Sequence, residues 1–250
     1  MNNPATDRLS LLYPQWPAPE KVRAFVTTRE QGPSEGVFAH FNPADSVGDD
    51  SEKVAACRRQ LLHETGNRPL NWLQQVHGHQ VVAKFSPGVA ADAAVATSGG
   101  YACVVLTADC LPVLFCNRQG TKVAAAHAGW RGLAAGVLEN TLDALNCDSE
   151  DLLVWLGPAI GARVFEVGAE VRQAFVEGHP EAATAFVPSP FRLKHYMADL
   201  YRLARQRLEA RGVEQIFGGN FCTLSDRERF YSYRRDGQTG RMASVIWLDD

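Results

Sequence analysis

No stretch of this sequence approaches the roughly 20 consecutive apolar residues that a membrane-spanning helix needs. The first twenty residues are polar and broken by Pro4, Pro14, Pro17 and Pro19, without the basic start and apolar core of a secretory signal. An extended N-terminal segment over 1–20 and a cytoplasmic location are therefore expected. Charge of neither sign dominates: 25 Lys and Arg against 28 Asp and Glu leave a net charge of −3. That balance removes the electrostatic basis for nucleic-acid or anionic-membrane partners. The six cysteines (Cys57, Cys103, Cys110, Cys116, Cys147 and Cys222) include no CxxC pair and form no dense framework. In a reducing compartment most of them are expected to be buried thiols, any exception being catalytic or metal-binding. No GxGxxG or P-loop spacing opens a helix, which argues against dinucleotide and ATP sites. Internal repeats, low-complexity tracts and charge blocks are also missing.

What is present is a chain of 250 residues, 46% hydrophobic, with ample material for a buried core. Val22 to Thr28 has the composition of a strand, and Gln31 to Asp50 that of a long loop. A helix is expected from an N-cap at Asp50 or Ser51 to Gly66. Trp72 to His77 and Gln80 to Phe85 suggest short strands flanking Gly78. Ala102 to Leu106, Leu111 to Cys116 and Val123 to His127 are apolar on both faces, so they should be central strands of a covered sheet. Helical spacing follows over Gly132 to Leu145, then a buried strand over Leu152 to Leu156. A helix stepping through Val167, Val171 and Phe175 and another over Met197 to Arg211 are expected next. A C-terminal hairpin is expected from Phe230–Arg234 and Met242–Leu248, turning at Asp236-Gly237. Strands and helices mix without strict βαβ alternation, which favours the α+β class.

The turn Asn117-Arg118-Gln119-Gly120 is the most informative local feature. With Arg118 and Gln119 at its centre, Cys110 falls directly opposite His127 across the hairpin. Directly paired residues have Cβ atoms about 4.5–5.5 Å apart, close enough for a thiolate and an imidazole to share one ion. A one-residue bulge, which Pro112 makes possible, would slip this register. Asp109 places a carboxylate at the end of an apolar strand, a costly position unless it is partnered. His127 lies where its strand breaks into Ala128-Gly129-Trp130-Arg131-Gly132, and reactive groups often occupy such ends. A cysteine and a histidine alone also fit a nucleophile–base pair. A metal reading needs a third ligand, and Val76-His77-Gly78-His79 is the other histidine segment with a sharp local context.

These residues resemble a known family, first described as multicopper polyphenol oxidases (laccase-like) and later assigned purine nucleoside phosphorylase and adenosine deaminase activity. The resemblance rests on Thr27-Thr28-Arg29, Val47-Gly48-Asp49-Asp50, Gln75-Val76-His77-Gly78 and Thr107-Ala108-Asp109-Cys110-Leu111-Pro112. It continues through Ala126-His127-Ala128-Gly129-Trp130-Arg131-Gly132, Gly157-Pro158-Ala159-Ile160-Gly161 and Phe230-Tyr231-Ser232-Tyr233-Arg234-Arg235. One departure is Phe41-Asn42-Pro43-Ala44-Asp45, where the family carries a leucine near Asn42. The resemblance implies one catalytic domain over 1–250 with a layered α/β/β/α sandwich of mixed sheets. It also implies zinc on His77, Cys110 and His127.

The function it implies is zinc-dependent phosphorolysis of adenosine, inosine and methylthioadenosine, with adenosine deamination as a companion. Three protein ligands leave zinc an open position, the arrangement of catalytic sites. Cys110, His127 and Asp109 are the candidate catalytic residues, Asp109 as proton carrier. Phosphate calls for cationic donors, and Arg29, Arg131, Arg234 and Arg235 are the candidates. The partners expected are a nucleoside and phosphate. A first alternative is copper-dependent phenol oxidation, since a thiolate–imidazole site also binds copper tightly. The seven histidines are scattered at His40, His63, His77, His79, His127, His179 and His195, too few for the repeated pairs of a four-copper laccase. A metal-free Cys–His hydrolase, with Cys110 as nucleophile and His127 as base, is the second. A binding module with a structural zinc is the third, although structural zinc normally takes four protein ligands.

Overall fold

The structure, a computed structural model, describes residues 9–249; most of the segment 1–20 expected to be extended can be followed, and residues 1–8 lie outside it. The chain enters through β1 (Leu11–Leu12) and β2 (Val22–Thr27), and after a long loop forms α1 (Ser51–Glu64). Asp50 caps α1 as expected, its carboxylate accepting the amides of Glu52 and Lys53. Short strands β3 (Leu70–Asn71), β4 (Val81–Val82) and β5 (Ala93–Ala96) precede the central β6 (Ala102–Thr107), β7 (Leu111–Asn117) and β8 (Val123–Ala128). Next come α2 (Trp130–Ala134), α3 (Val137–Leu145), β9 (Leu152–Leu156), β10 (Glu166–Gly168), α4 (Ala169–Val176), β11 (Phe186–Pro188) and β12 (His195–Ala198). The chain closes with α5 (Leu200–Ala210), β13 (Gln215–Gly218), α6 (Tyr233–Asp236) and β14 (Met242–Leu248).

Among the described residues three sheets result: a five-stranded one in the order β1-β2-β14-β6-β3, a six-stranded one in the order β13-β9-β7-β8-β5-β4, and a small one of β10-β12-β11. The side chains sort into three cores that define the layers. Val54-bearing α1 packs Cys57 and Leu61 onto Phe25, Val104 and Val245 of the five-stranded sheet. Between the two large sheets lie Val26, Val105, Leu114, Cys116, Val123, Ala125 and Ile246. On the far face of the six-stranded sheet, Val113, Phe115, Ala124 and Ala126 meet Leu138 and Leu142 of α3 and Leu203 and Leu208 of α5. This is the α/β/β/α sandwich with mixed sheets. All residues of β7 and β8 are buried, as their two-faced apolar composition requires. Among the described residues no helix is long and apolar enough to cross a membrane.

Several local expectations are corrected. The β7–β8 ladder pairs Leu111 with Ala128 and Pro112 with His127, so Cys110 lies two residues out of the expected register. The cause is Asn117: its side-chain oxygen accepts the amides of both Thr121 and Lys122, and Gly120 turns at φ +61°, lengthening the loop. A shift of two preserves the strand face, so the same-face reading survives while direct pairing does not. Trp72–His77 is not a continuous strand: Gln74 makes one isolated bridge to Ala90, and beyond it the amides of Val76, His77 and Gly78 are taken by the Asp92 carboxylate. The helix expected over Gly132–Leu145 is two helices, separated at Gly136, whose φ is +94°. His195–Ala198 pairs as β12, and α5 begins only after Asp199, which caps it. The C-terminal hairpin is absent among the described residues: Phe230 and Tyr231 are buried, Tyr233–Asp236 is helical, and β14 inserts between β2 and β6.

Candidate metal site

β6 and β7 are joined by a turn whose Asp109 adopts φ +87°, and Cys110 follows it at the mouth between the sheets. The Asp109 carboxylate is almost buried and doubly anchored. One oxygen accepts the Thr223 hydroxyl at 2.6 Å and the other the Arg234 amide at 2.7 Å. His127 sits near the end of β8, buried, on the face that looks toward the five-stranded sheet. His77 comes from the loop after β3 at φ +58° and is exposed. Their potential ligand atoms all lie within 4.8 Å of one another, and His77 Nε2 stands 3.8 Å from Cys110 Sγ. The structure thus brings together the three residues that sequence reasoning placed on one ion, and they could hold a metal.

The residue that organises them is Asp92, fully buried at the head of β5. Its carboxylate accepts the amides of Val76, His77 and Gly78 and the His127 Nδ1–H at 2.8 Å. The His127 backbone amide also donates to the Asp92 carbonyl at 2.7 Å. One carboxylate therefore shapes the His77 loop and fixes the His127 tautomer, leaving Nε2 for the site. Asp92 was not singled out from the sequence. Its signal is the one that marked Asp109, a lone carboxylate abutting an apolar strand.

Electrostatics suit the donor set to a cation. Burial alone would push the Cys110 thiol up, but the neighbouring His127 and His77 imidazoles bring it down to about 6. Burial would likewise push His127 down, and the Cys110 sulfur together with Asp92 raises it to about 9. Thiolate and imidazolium stabilise each other, and a metal ion could take the place of the proton between them.

Gly129 supplies the space. A Cβ there would meet Cys110 Sγ at 2.9 Å and His77 Cδ2 at 3.0 Å. Gly129→Ala is accordingly expected to weaken metal binding roughly 10–100-fold, as when residues that orient ligands are altered. Chelator competition measures this, and an unchanged affinity would show that the ligands relax freely.

The candidate arginines divide. Arg29 donates from Nε and Nη2 to the Ala39 carbonyl and lies over the Tyr231 ring. Arg235 is committed to Asp236 and to the carbonyls of Thr223, Leu224 and Phe230. Arg131 and Arg234 instead line one cleft of about 650 Å³, with Trp130, Phe165, Arg192 and His195. Chain continuity ties this cleft to the metal site: Trp130 follows Gly129, and the Arg234 amide is held by the carboxylate next to Cys110.

Residues 23–249 match the family described as multi-copper polyphenol oxidoreductase laccase. The chain belongs to this family. A protein of Pseudomonas aeruginosa named as a purine nucleoside phosphorylase is 58% identical over 96% of this chain and 98% of its own length. Another of that name, from Escherichia coli, is 51% identical over 95% of this chain and 98% of its own. The crystal structure of a Neisseria meningitidis protein superposes with a TM-score of 0.92 at 48% identity, over 96% of this chain and 99% of that one. The family name carries copper and the relatives' name carries phosphorolysis. Among the described residues, His77, Cys110 and His127 are the one group of three or more possible ligands that the fold assembles.

Proposed function

We propose that this family member is a zinc-dependent purine nucleoside phosphorylase acting on adenosine, inosine and methylthioadenosine, with adenosine deamination as a second activity. The observation that carries the reading is the His77–Cys110–His127 cluster, in a chain whose near relatives bear the phosphorylase name. A sulfur and two imidazole nitrogens suit zinc, and three protein ligands leave it a position for a guest. Bound there, the metal supplies Lewis-acid polarisation of a substrate atom or of water.

The chain's own residues supply the rest. Asp92 holds His127 and the His77 loop rigid, so little reorganisation accompanies binding. Phosphorolysis joins phosphate to the ribose carbon as the base departs, and the departing base nitrogen must gain a proton. Asp109 is the candidate to pass that proton, and its bonds to Thr223 and Arg234 also fix the turn that presents Cys110. Arg131 and Arg234 are assigned to substrate because they line the cleft beside the site, whereas Arg29 and Arg235 spend their donors on backbone carbonyls.

A second reading is favoured by one observation, the Cys110 thiol lowered to about 6 beside His127: a metal-free hydrolase with Cys110 as nucleophile. Protein purified without added metal separates these readings. About one zinc per chain is expected. Adenosine, inosine or methylthioadenosine plus phosphate should yield free base and a ribose phosphate. Base release should cease without phosphate, while deamination of adenosine, which consumes water, continues. Stoichiometric copper with a blue absorption would favour phenol oxidation, and activity in zinc-free protein the hydrolase.

A further inference from the structure

Arg241 belongs to none of the motifs above, yet the sheet register brings its backbone to the strand end from which Cys110 emerges. β14 pairs antiparallel with β6, Met242 lying opposite Thr107. The residue before Met242 therefore continues alongside Ala108-Asp109-Cys110 at the same sheet end. Its backbone is pinned: the Arg241 amide donates to Oδ1 of the fully buried Asn42 at 3.0 Å. The approach to it is equally tight, since a Cβ on Gly240 would fall 2.6 Å from the Tyr231 ring.

The guanidinium is held on one side only. Nη1 donates to the carbonyls of Thr239 at 2.8 Å and Gly240 at 2.9 Å. Nε and Nη2 have no hydrogen-bond partner among the described residues, and no carboxylate pairs with Arg241 there. Burial holds its pKa below the usual range, against the opposing pull of the ionisable groups near it, Cys110 and Asp109 foremost. A partly buried, oriented guanidinium with two adjacent free donors matches an oxyanion in the bidentate manner. Arg29 and Arg235 lack such a pair of spare donors; Arg234, which gives only Nη1 to the Glu166 carbonyl, keeps one too and lines the neighbouring cleft.

We infer that Arg241 is an anion-holding residue of this site, adding to Arg131 and Arg234 a donor pair for the inorganic phosphate that enters the phosphorolytic reaction beside the Cys110 ligand. This rests on the phosphorylase reading. The free Nε–H and Nη2–H grip two phosphate oxygens while the carbonyl-bound Nη1 keeps the fork from swinging away. Asn42 acts through Arg241 and is a positioning residue.

Phosphate titration of the zinc-loaded protein at saturating inosine tests the inference. In Arg241→Ala the phosphate half-saturation should rise at least about tenfold, the effect of losing charge-assisted hydrogen bonds. The nucleoside half-saturation and zinc content should stay near the wild-type values. Arg241→Lys should fall between, and added guanidinium ion should partly rescue Arg241→Ala; Arg241→Gln replaces the alanine variant if that fails to fold. An unchanged phosphate half-saturation, or an equal rise for both substrates, would overturn the inference. Should wild-type protein release no base at all, the phosphorylase reading fails, and calorimetric titration with phosphate judges Arg241 alone. Binding lost in Arg241→Ala and kept in Arg241→Lys would support the anion site; no wild-type binding, or equal binding in all three, would overturn it.

Discussion

Alanine at His77, Cys110 or His127 is expected to abolish metal retention and catalysis together, the largest effect of any substitution in this chain. Each residue offers one of three possible donor atoms lying within 4.8 Å of one another, and a two-ligand remnant would bind a divalent ion far more weakly. The folded state should respond differently at each position. His77 is exposed, and its loop is held through backbone amides that alanine keeps, so His77→Ala should fold normally. Cys110→Ala removes a half-buried sulfur whose neighbour at 3.8 Å, His77, is itself exposed, so its structural cost is small as well. His127→Ala deprives the buried Asp92 of its imidazole partner and should be the least stable of the three. Metal analysis of the purified variants, with thermal melting alongside, checks all of this. A fully active His77→Ala enzyme would remove the third ligand and with it the site as described.

The second large effect is expected at Asp92, which touches no substrate atom in this reading. Burial by itself would raise its carboxyl, but hydrogen bonds from His127 and the loop amides, with the charge of His127, hold it below the usual carboxylate range. Asp92→Asn keeps the shape but offers one oxygen and an NH2 group to a cluster made entirely of donors. Breaking a buried charged partner typically costs about 3–5 kcal/mol of stability. Loss of a carboxylate that orients a ligating histidine lowers metal affinity about 10–100-fold. Chelator competition and denaturant titration of metal-free protein should therefore both move. Wild-type affinity in Asp92→Asn would mean that packing alone positions the two histidines.

The sequence by itself determined the elements whose cause is local. Asp50 caps α1 because a carboxylate can reach amides two and three residues ahead. Strands β7 and β8 are central because apolar residues on both faces can only be buried. Cys110 and His127 could be placed on one strand face because side-chain alternation has a period of two, which survived even a wrong register. The tertiary structure decided what depends on distant partners. The segment 72–77 keeps a single bridge at Gln74 and gives its last amides to a carboxylate fifteen or so residues away, an exchange no local pattern encodes. The polar-and-aromatic stretch 230–234 looks like half of a hairpin. The Asp109 carboxylate claims the Arg234 amide from 125 residues upstream, and β14 finds its neighbours in β2 and β6. The arginines were indistinguishable in the sequence because every guanidinium carries the same charge. Only folding determines which of them commit their donors to neighbours, as Arg29 and Arg235 do, and which keep donors free, as Arg234 and Arg241 do.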